Sequence, residues 1–232
     1  MTPIAPHITA YLQQRLAVDL RASPHTCDTY AYAFQILFEF MSRKLGVAPA
    51  DLSLEQLDVP LVLEFLDHLQ KERHNSARTR NARLAVIRSF MRFVEHRIPS
   101  ALDQVRRVRA IPAQKTDRRL VRHLTADEQR ALLNAPEPTT RLGIRDRAML
   151  LLALTAGLRV SELVGLRTDH VAFNGRYVDV GVRGKGRRER ALTLWKTVAD
   201  AIRAWLAVRG EAPTPELFLN AWGRHMTRSG FE

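Results

Sequence analysis

Cysteine is almost absent. Cys27 stands alone in 232 residues, so no internal disulfide and no thiolate metal cluster can form. Histidine is thinly spread: the eight, at positions 7, 25, 68, 74, 96, 123, 170 and 225, include no pair at i, i+4. Helical metal sites rest on that spacing, so metal catalysis is disfavoured and no cofactor is expected. No apolar run approaches the roughly 18 residues that would mark a membrane span. The opening MTPIAPHITAYLQQR lacks a charged n-region followed by an apolar stretch, and reads as an unprocessed, cytoplasmic start. Acidic residues are also short, 24 against 36 Lys plus Arg, which leaves a net charge of +12. Such an excess attracts polyanions, because each neutralised phosphate releases a counterion. Charge alone fits a nucleic-acid binder and a merely basic soluble protein equally well.

What is present falls into two blocks. Residues 1 to about 97 read as helices with short breaks. Thr26 to Met41 carries Tyr30, Phe34, Leu37 and Met41 at helical spacing, with Thr26 as a candidate N-cap and Gly46 and Pro49 at the exit. Leu61 to Leu69 forms a second apolar helix. Ser76 to Glu95 forms a third, striped by Leu84, Ile87, Met91 and Val94. From Arg73 to Val94 there are six arginines and no acid. Arg78, Arg88 and Arg92 share one flank of that helix, with Arg80 and Arg83 nearby. A buried stripe beside a basic flank suits phosphate tracking or groove insertion, although a solvated basic face would look the same.

Residues 98–123 look like a linker, polar, basic and weakly periodic between Pro99 and Pro112. A second block starts at Leu124. Thr125-x-x-Glu128 has the form of a capping box. RDRAMLLLALTA (145–156) is a strongly apolar helix, and LRVSELVGL a short one. HVAF, YVDVGV and RERALTL then alternate as strands, separated by Asn174-Gly175 and by Gly184-Lys185-Gly186. Trp195 to Val208 is amphipathic. The second block is therefore α+β with a small antiparallel sheet.

Two features carry chemistry. Arg159 follows a glycine break in TAGLRVSEL, where its fork can face an anion or pair with Glu162 at i, i+3. Lys185 sits at a hairpin tip crowded by Arg183, Arg187, Arg188 and Arg190. It is not a phosphate-binding P-loop lysine, because Gly186 follows where Ser or Thr belongs. Together, Gly-Leu-Arg-x-Ser-Glu-Leu and a Gly-Lys-Gly hairpin about 25 residues on closely resemble the tyrosine recombinase (phage integrase) family. LVGLRTDHV with Asp169, LFLNAWGRHMTRSGF (217–231), Thr26-x-x-x-Tyr30 and the Ser76 helix start extend the resemblance over most of the chain.

The resemblance implies a mainly α protein. A helical SAM-like core-binding domain would span 1–110, a linker 111–123, and an α+β catalytic domain with a three-stranded antiparallel sheet 124–232. It implies a clamp of two domains on double-stranded DNA, assembled with other protomers, for integration, excision or transposon movement. A tyrosine attacks a backbone phosphate to form a phosphotyrosyl link, so neither metal nor nucleotide is needed. Arg159 would neutralise transition-state charge. Lys185 would protonate the leaving 5′ oxygen. Glu162 would orient Arg159. Arg78, Arg80, Arg83, Arg88, Arg92, Arg183, Arg187 and Arg188 would contact DNA.

The family also needs a His-x-x-Arg box, a further His or Trp, and the nucleophile. The tyrosines here are Tyr11, Tyr30, Tyr32 and Tyr177, none after the sheet. His225-Met-Thr-Arg228 spells the box formally but lies in the segment that precedes it. The expectation is a catalytic domain incomplete at its C-terminus, binding DNA without cutting it, with apolar surface of helices 145–156 and 195–208 partly exposed.

Overall fold

The computed structural model describes residues 1–117, 123–184 and 189–231. The chain divides into two compact units at 120/121.

The first unit is all helical. After α1 (Ile4–Thr9) the chain widens into a π-helical run, Ala10–Asp19. Then come α2 (Pro24–Leu45), α3 (Val59–Lys71), α4 (Ala77–Glu95) and α5 (Leu102–Ala110). Side-chain caps set the starts. Ser23, not Thr26, caps α2: its Oγ accepts the Thr26 N–H at 3.2 Å, and Pro24 supplies a pre-set φ. Asp58 Oδ1 accepts from Leu61 N–H at 2.9 Å to begin α3, and Ser76 Oγ from Thr79 N–H at 3.2 Å to begin α4. The expected apolar stripes face inward: Phe34, Leu37, Met41, Leu84, Ile87, Met91 and Val94 are buried. Aromatic rings meet edge-on at the centre, with Tyr11, Phe34 and Phe90 about 5.6–6.0 Å apart.

Residues 98–117 are not a simple linker. Val105 and Val108 are fully buried, and Gln104 Nε2 donates to Leu54 O (2.7 Å) and Leu57 O (2.9 Å), so α5 belongs to the core. The weak periodicity hid two apolar contacts on a helix of nine residues. Beyond it, Gln114 is held as a strand partner would hold it. Its N–H donates to Asn81 Oδ1 (3.0 Å), and its carbonyl accepts from Asn81 Nδ2 (2.8 Å).

The second unit runs α6 (Ala126–Asn134), α7 (Arg141–Ala156), α8 (Val160–Val164), β1 (Val171–Asn174), β2 (Tyr177–Arg183), β3 (Glu189–Leu194), α9 (Lys196–Arg209) and α10 (Arg228–Phe231). The capping box of α6 is formed as expected: Thr125 N–H donates to Glu128 Oε2 (2.7 Å), and Glu128 N–H to Thr125 Oγ1 (3.2 Å). The sheet is antiparallel in the order β1-β2-β3, with Val180 opposite both Val171 and Leu192. Val178, Val180 and Val182 turn one face of β2 into a core shared with Met149, Leu152, Ile202 and Trp205. Helices α7 and α9 pack together. Their outer sides leave Leu142, Leu154, Trp195 and Val208 exposed.

One arginine closes this unit. Arg209, at the end of α9, donates to the carbonyls of Gly210, Thr214, Glu216 and Leu217 at 2.8–3.3 Å. Trp205 Nε1 adds a bond to Leu217 O at 2.7 Å. The returning segment 217–219 is thereby locked into the core. Arg209→Ala is expected to cost about 2 kcal/mol, since several charge-assisted bonds to carbonyls disappear at once. Urea denaturation measures this, and an unchanged midpoint would refute the locking role.

Candidate phosphate site and nucleic-acid interface

In the second unit Gly157, at φ +59°, stops α7 by donating its N–H to Ala153 O at 3.0 Å. Two residues on, Arg159 is extended (φ −67°, ψ 150°) and stands at the N-cap of α8. Arginine has no acceptor with which to cap, so Glu162 does the capping from the third position. Its Oε2 accepts the Arg159 backbone N–H at 3.0 Å, and its Oε1 accepts from Arg159 Nη1 at 3.0 Å. Arg190 on β3 completes the set, Nη2 to Glu162 Oε2 at 3.2 Å.

The carboxylate is 4% exposed, whereas the Arg159 side chain is 71% exposed. A buried carboxylate is costly unless ionic and hydrogen-bonding partners surround it, and here three donors do. The Arg159 backbone N–H, with both guanidiniums, holds the Glu162 carboxyl below its ordinary value despite burial. The outcome is a guanidinium tethered at one edge with its remaining donors toward solvent, a ready receptor for an anion. The sequence assigns Arg190 no role of its own. Its signal is its place on β3, opposite buried Val182, the one described member of the hairpin arginines that turns back onto α8.

Lys185, Arg187 and Arg188 lie outside the described residues. Arg183 is exposed at the end of β2. His225 points its Nδ1 toward Glu216 Oε1 at 3.8 Å, and among the described residues no hydrogen bond or ion pair joins it to Arg159. Helix α10, which begins at Arg228, packs against α8.

In the first unit the basic helix divides. Arg78 and Arg92 are exposed, as a binding flank requires. Three neighbours turn inward, which corrects the uniform basic face expected from the charge run. Arg80 is 6% exposed and donates to Pro112 O at 3.2 Å. Arg88 donates to Ile111 O. Arg83 is half-buried, directed at Thr29 O (3.5 Å) and over the Tyr32 ring at 5.1 Å. The physical reason is the segment after α5, whose carbonyls have no helical partner and take the Arg80 and Arg88 donors instead.

Comparison with known proteins fixes the family. The model of the phage integrase family matches residues 122–232, and that of the phage integrase N-terminal SAM-like domain matches 8–97. A protein named as an integrase/recombinase, y4rC of Sinorhizobium fredii, is 39% identical over 229 residues, covering 99% of this chain and 69% of the relative. Tyrosine recombinase XerC of Pelobacter propionicus is 32% identical over 229 residues, 98% of this chain and 72% of the relative. The chain belongs to the phage integrase, or tyrosine recombinase, family.

Solved structures of low identity share the integrase fold. A lambda integrase tetramer bound to a Holliday junction superposes with a TM-score of 0.71 at 15% identity, over all of this chain and 63% of that one. The Tn1549 transposon integrase in complex with circular intermediate DNA gives 0.70 at 16%, over 99% and 75%. XerH recombinase bound to its palindromic difH substrate gives 0.68 at 20%; this chain spans 60% of its length. The mainly α class, the SAM-like first unit and the three-stranded sheet thus agree with the integrase fold.

Glu162 gives this site a pH signature. A carboxyl held below its ordinary value of 4.5 in the folded state contributes stability that is present above that value and lost as pH falls through the lowered one. Glu162→Gln is therefore expected to flatten the acid limb of the stability curve below about pH 5. Thermal midpoints taken across that range test it, and an acid limb as steep as the parent's would contradict it.

Proposed function

We propose that this chain binds duplex DNA as a site-specific recombinase of the integrase type, with Arg159 on the phosphate to be attacked. The observation that carries this reading is the exposed Arg159 guanidinium fixed by a buried carboxylate. An arginine aimed in advance at the place where charge develops needs no reorganisation when it does. Glu162 and Arg190 act through it as positioning residues. Arg78 contributes a backbone phosphate contact from the first unit, and Arg183 stands at the hairpin that carries Lys185, the proposed general acid. Other protomers would join on the DNA.

A second observation bears on cutting. Tyr11 is buried, donates to Ser89 Oγ at 2.7 Å, and burial pushes its phenol up to about 12. Tyr30 packs on Tyr11, Tyr32 lies under Arg83, and Tyr177 stands edge-on to Trp195 at 5.5 Å. Tyr177, the tyrosine that shares a unit with Arg159, is engaged with Trp195, which supports the reading that residues 1–232 by themselves occupy a site without cutting it.

Arg159→Ala and Arg78→Glu should each weaken duplex binding about five- to tenfold. Each should also make the salt dependence shallower, by about one unit of log–log slope for every phosphate no longer neutralised. Arg88→Ala should instead lower the melting temperature and leave the slope alone. Fluorescence anisotropy against salt tests all three, and parental affinity and slope in the Arg159 variant would remove the phosphate role. Incubation with a nicked duplex should give no covalent adduct; an adduct would overturn the non-cutting reading.

A further inference from the structure

The first unit holds a cleft of about 530 Å³ between the π-helical run and the C-terminal end of α4. Arg15 lines it from the π run, and Arg92, His96 and Arg97 from α4 and its exit. Asp19 is the one acid on its walls, and it is paired with Arg15 at 3.5 Å. Glu95, adjacent in sequence, is taken by Arg109. Among the described residues, Arg92 and Arg97 therefore meet no carboxylate. Arg97 lies instead on the face of Phe93, 4.3 Å from the ring centroid. The floor carries the Tyr11 and Ser89 hydroxyls, 2.7 Å apart, and Tyr11 itself is 1% exposed.

Like charges gathered in a concave surface repel one another when empty, and they focus the field on whatever enters. The backbone here is also unusual. A π run of ten residues is rare, and π geometry recurs at functional sites. Just beyond it stands Arg21 at φ +47°, a left-handed conformation that is costly for a residue with a Cβ.

We propose that this cleft is a binding site for a free ligand that bears linked phosphates, a di- or triphosphate group. Three guanidiniums match more than one phosphate, since each can form two parallel bonds to one group. The site is independent of Arg159, which lies in the other unit. It is also separate from Arg78: fourteen residues along α4 place Arg92 about 21 Å away at 1.5 Å per residue. Asp19 competes with the ligand for Arg15, and so acts as a built-in attenuator.

Calorimetric titration of the chain with inorganic tripolyphosphate tests the proposal. One saturable site is expected, weakened about a hundredfold by Arg92→Gln with Arg97→Gln, the effect of removing two charge-assisted pairings. Asp19→Asn should strengthen it, and Arg78→Gln and Arg159→Ala should leave it unchanged. Melting temperatures confirm that each variant folds. Absence of saturable binding, or binding indifferent to the Arg92, Arg97 and Asp19 changes, would overturn the proposal. Preloading with a short duplex should leave tripolyphosphate binding intact; blocked binding would mean that strand phosphates occupy the cleft and would overturn the proposal. A failed Arg159 test with a responsive cleft would sink the recombinase reading alone.

Discussion

The Glu162 carboxylate is the point on which the second unit turns. It is almost without solvent, and such a charge persists only where donors surround it. Its donors come from two elements distant in sequence: the backbone and side chain at residue 159, and Arg190 on β3. The pairing therefore starts α8, ties that helix to the sheet and aims Arg159 by one network. Release of any partner would leave the carboxylate buried with too few bonds, so the network resists partial opening. The precision of the candidate phosphate site follows from the cost of burying one charge.

Arginine elsewhere follows the same logic with carbonyls in place of a carboxylate. Arg80 and Arg88 hold the segment after α5, Arg145 donates to Leu219 O at 2.8 Å, and Arg209 gathers the loop after α9. A planar fork with five donors can close several irregular segments at once, which an ammonium cannot do as well. Net charge counts these residues equally with Arg78 and Arg92. Counterion release does not, because it needs a guanidinium that reaches a phosphate. A charge run in a sequence is thus a mixture of surface field and internal scaffolding.

Much of the fold was legible because local rules and tertiary packing agree. The apolar stripes, the Thr125–Glu128 box and the strand alternation each fix their element without distant help, while the expected Asn174-Gly175 break sits one residue later, at Gly175-Arg176, with Asn174 paired to Tyr177 at the end of β1. Other features depend on partners far along the chain. The start of α2 moved from Thr26 to Ser23 because two nearby Ser/Thr residues can both cap, and Pro24 decides between them. Helix α5 was missed because two valines and Gln104 dock it, and neither periodicity nor charge announces that. The π run has no recognised sequence signal. The Arg159–Glu162 pairing was legible at i, i+3, whereas the Arg190 contact that anchors Glu162 across 28 residues was not.

The two arginine clusters differ in their surroundings, and so in the task each would suit. Arg159 is half-neutralised before any ligand arrives, so its long-range pull is modest and its direction is well defined. That combination suits a charge that grows during a reaction, where direction counts for more than attraction. The arginines beside Phe93 are the reverse. They face few acids, sit in a concave wall and carry a strong field with loose geometry. That suits capture of an anion already fully charged. On the proposed reading, one buried carboxylate is what would separate the arginine set for chemistry from the arginines set for attraction.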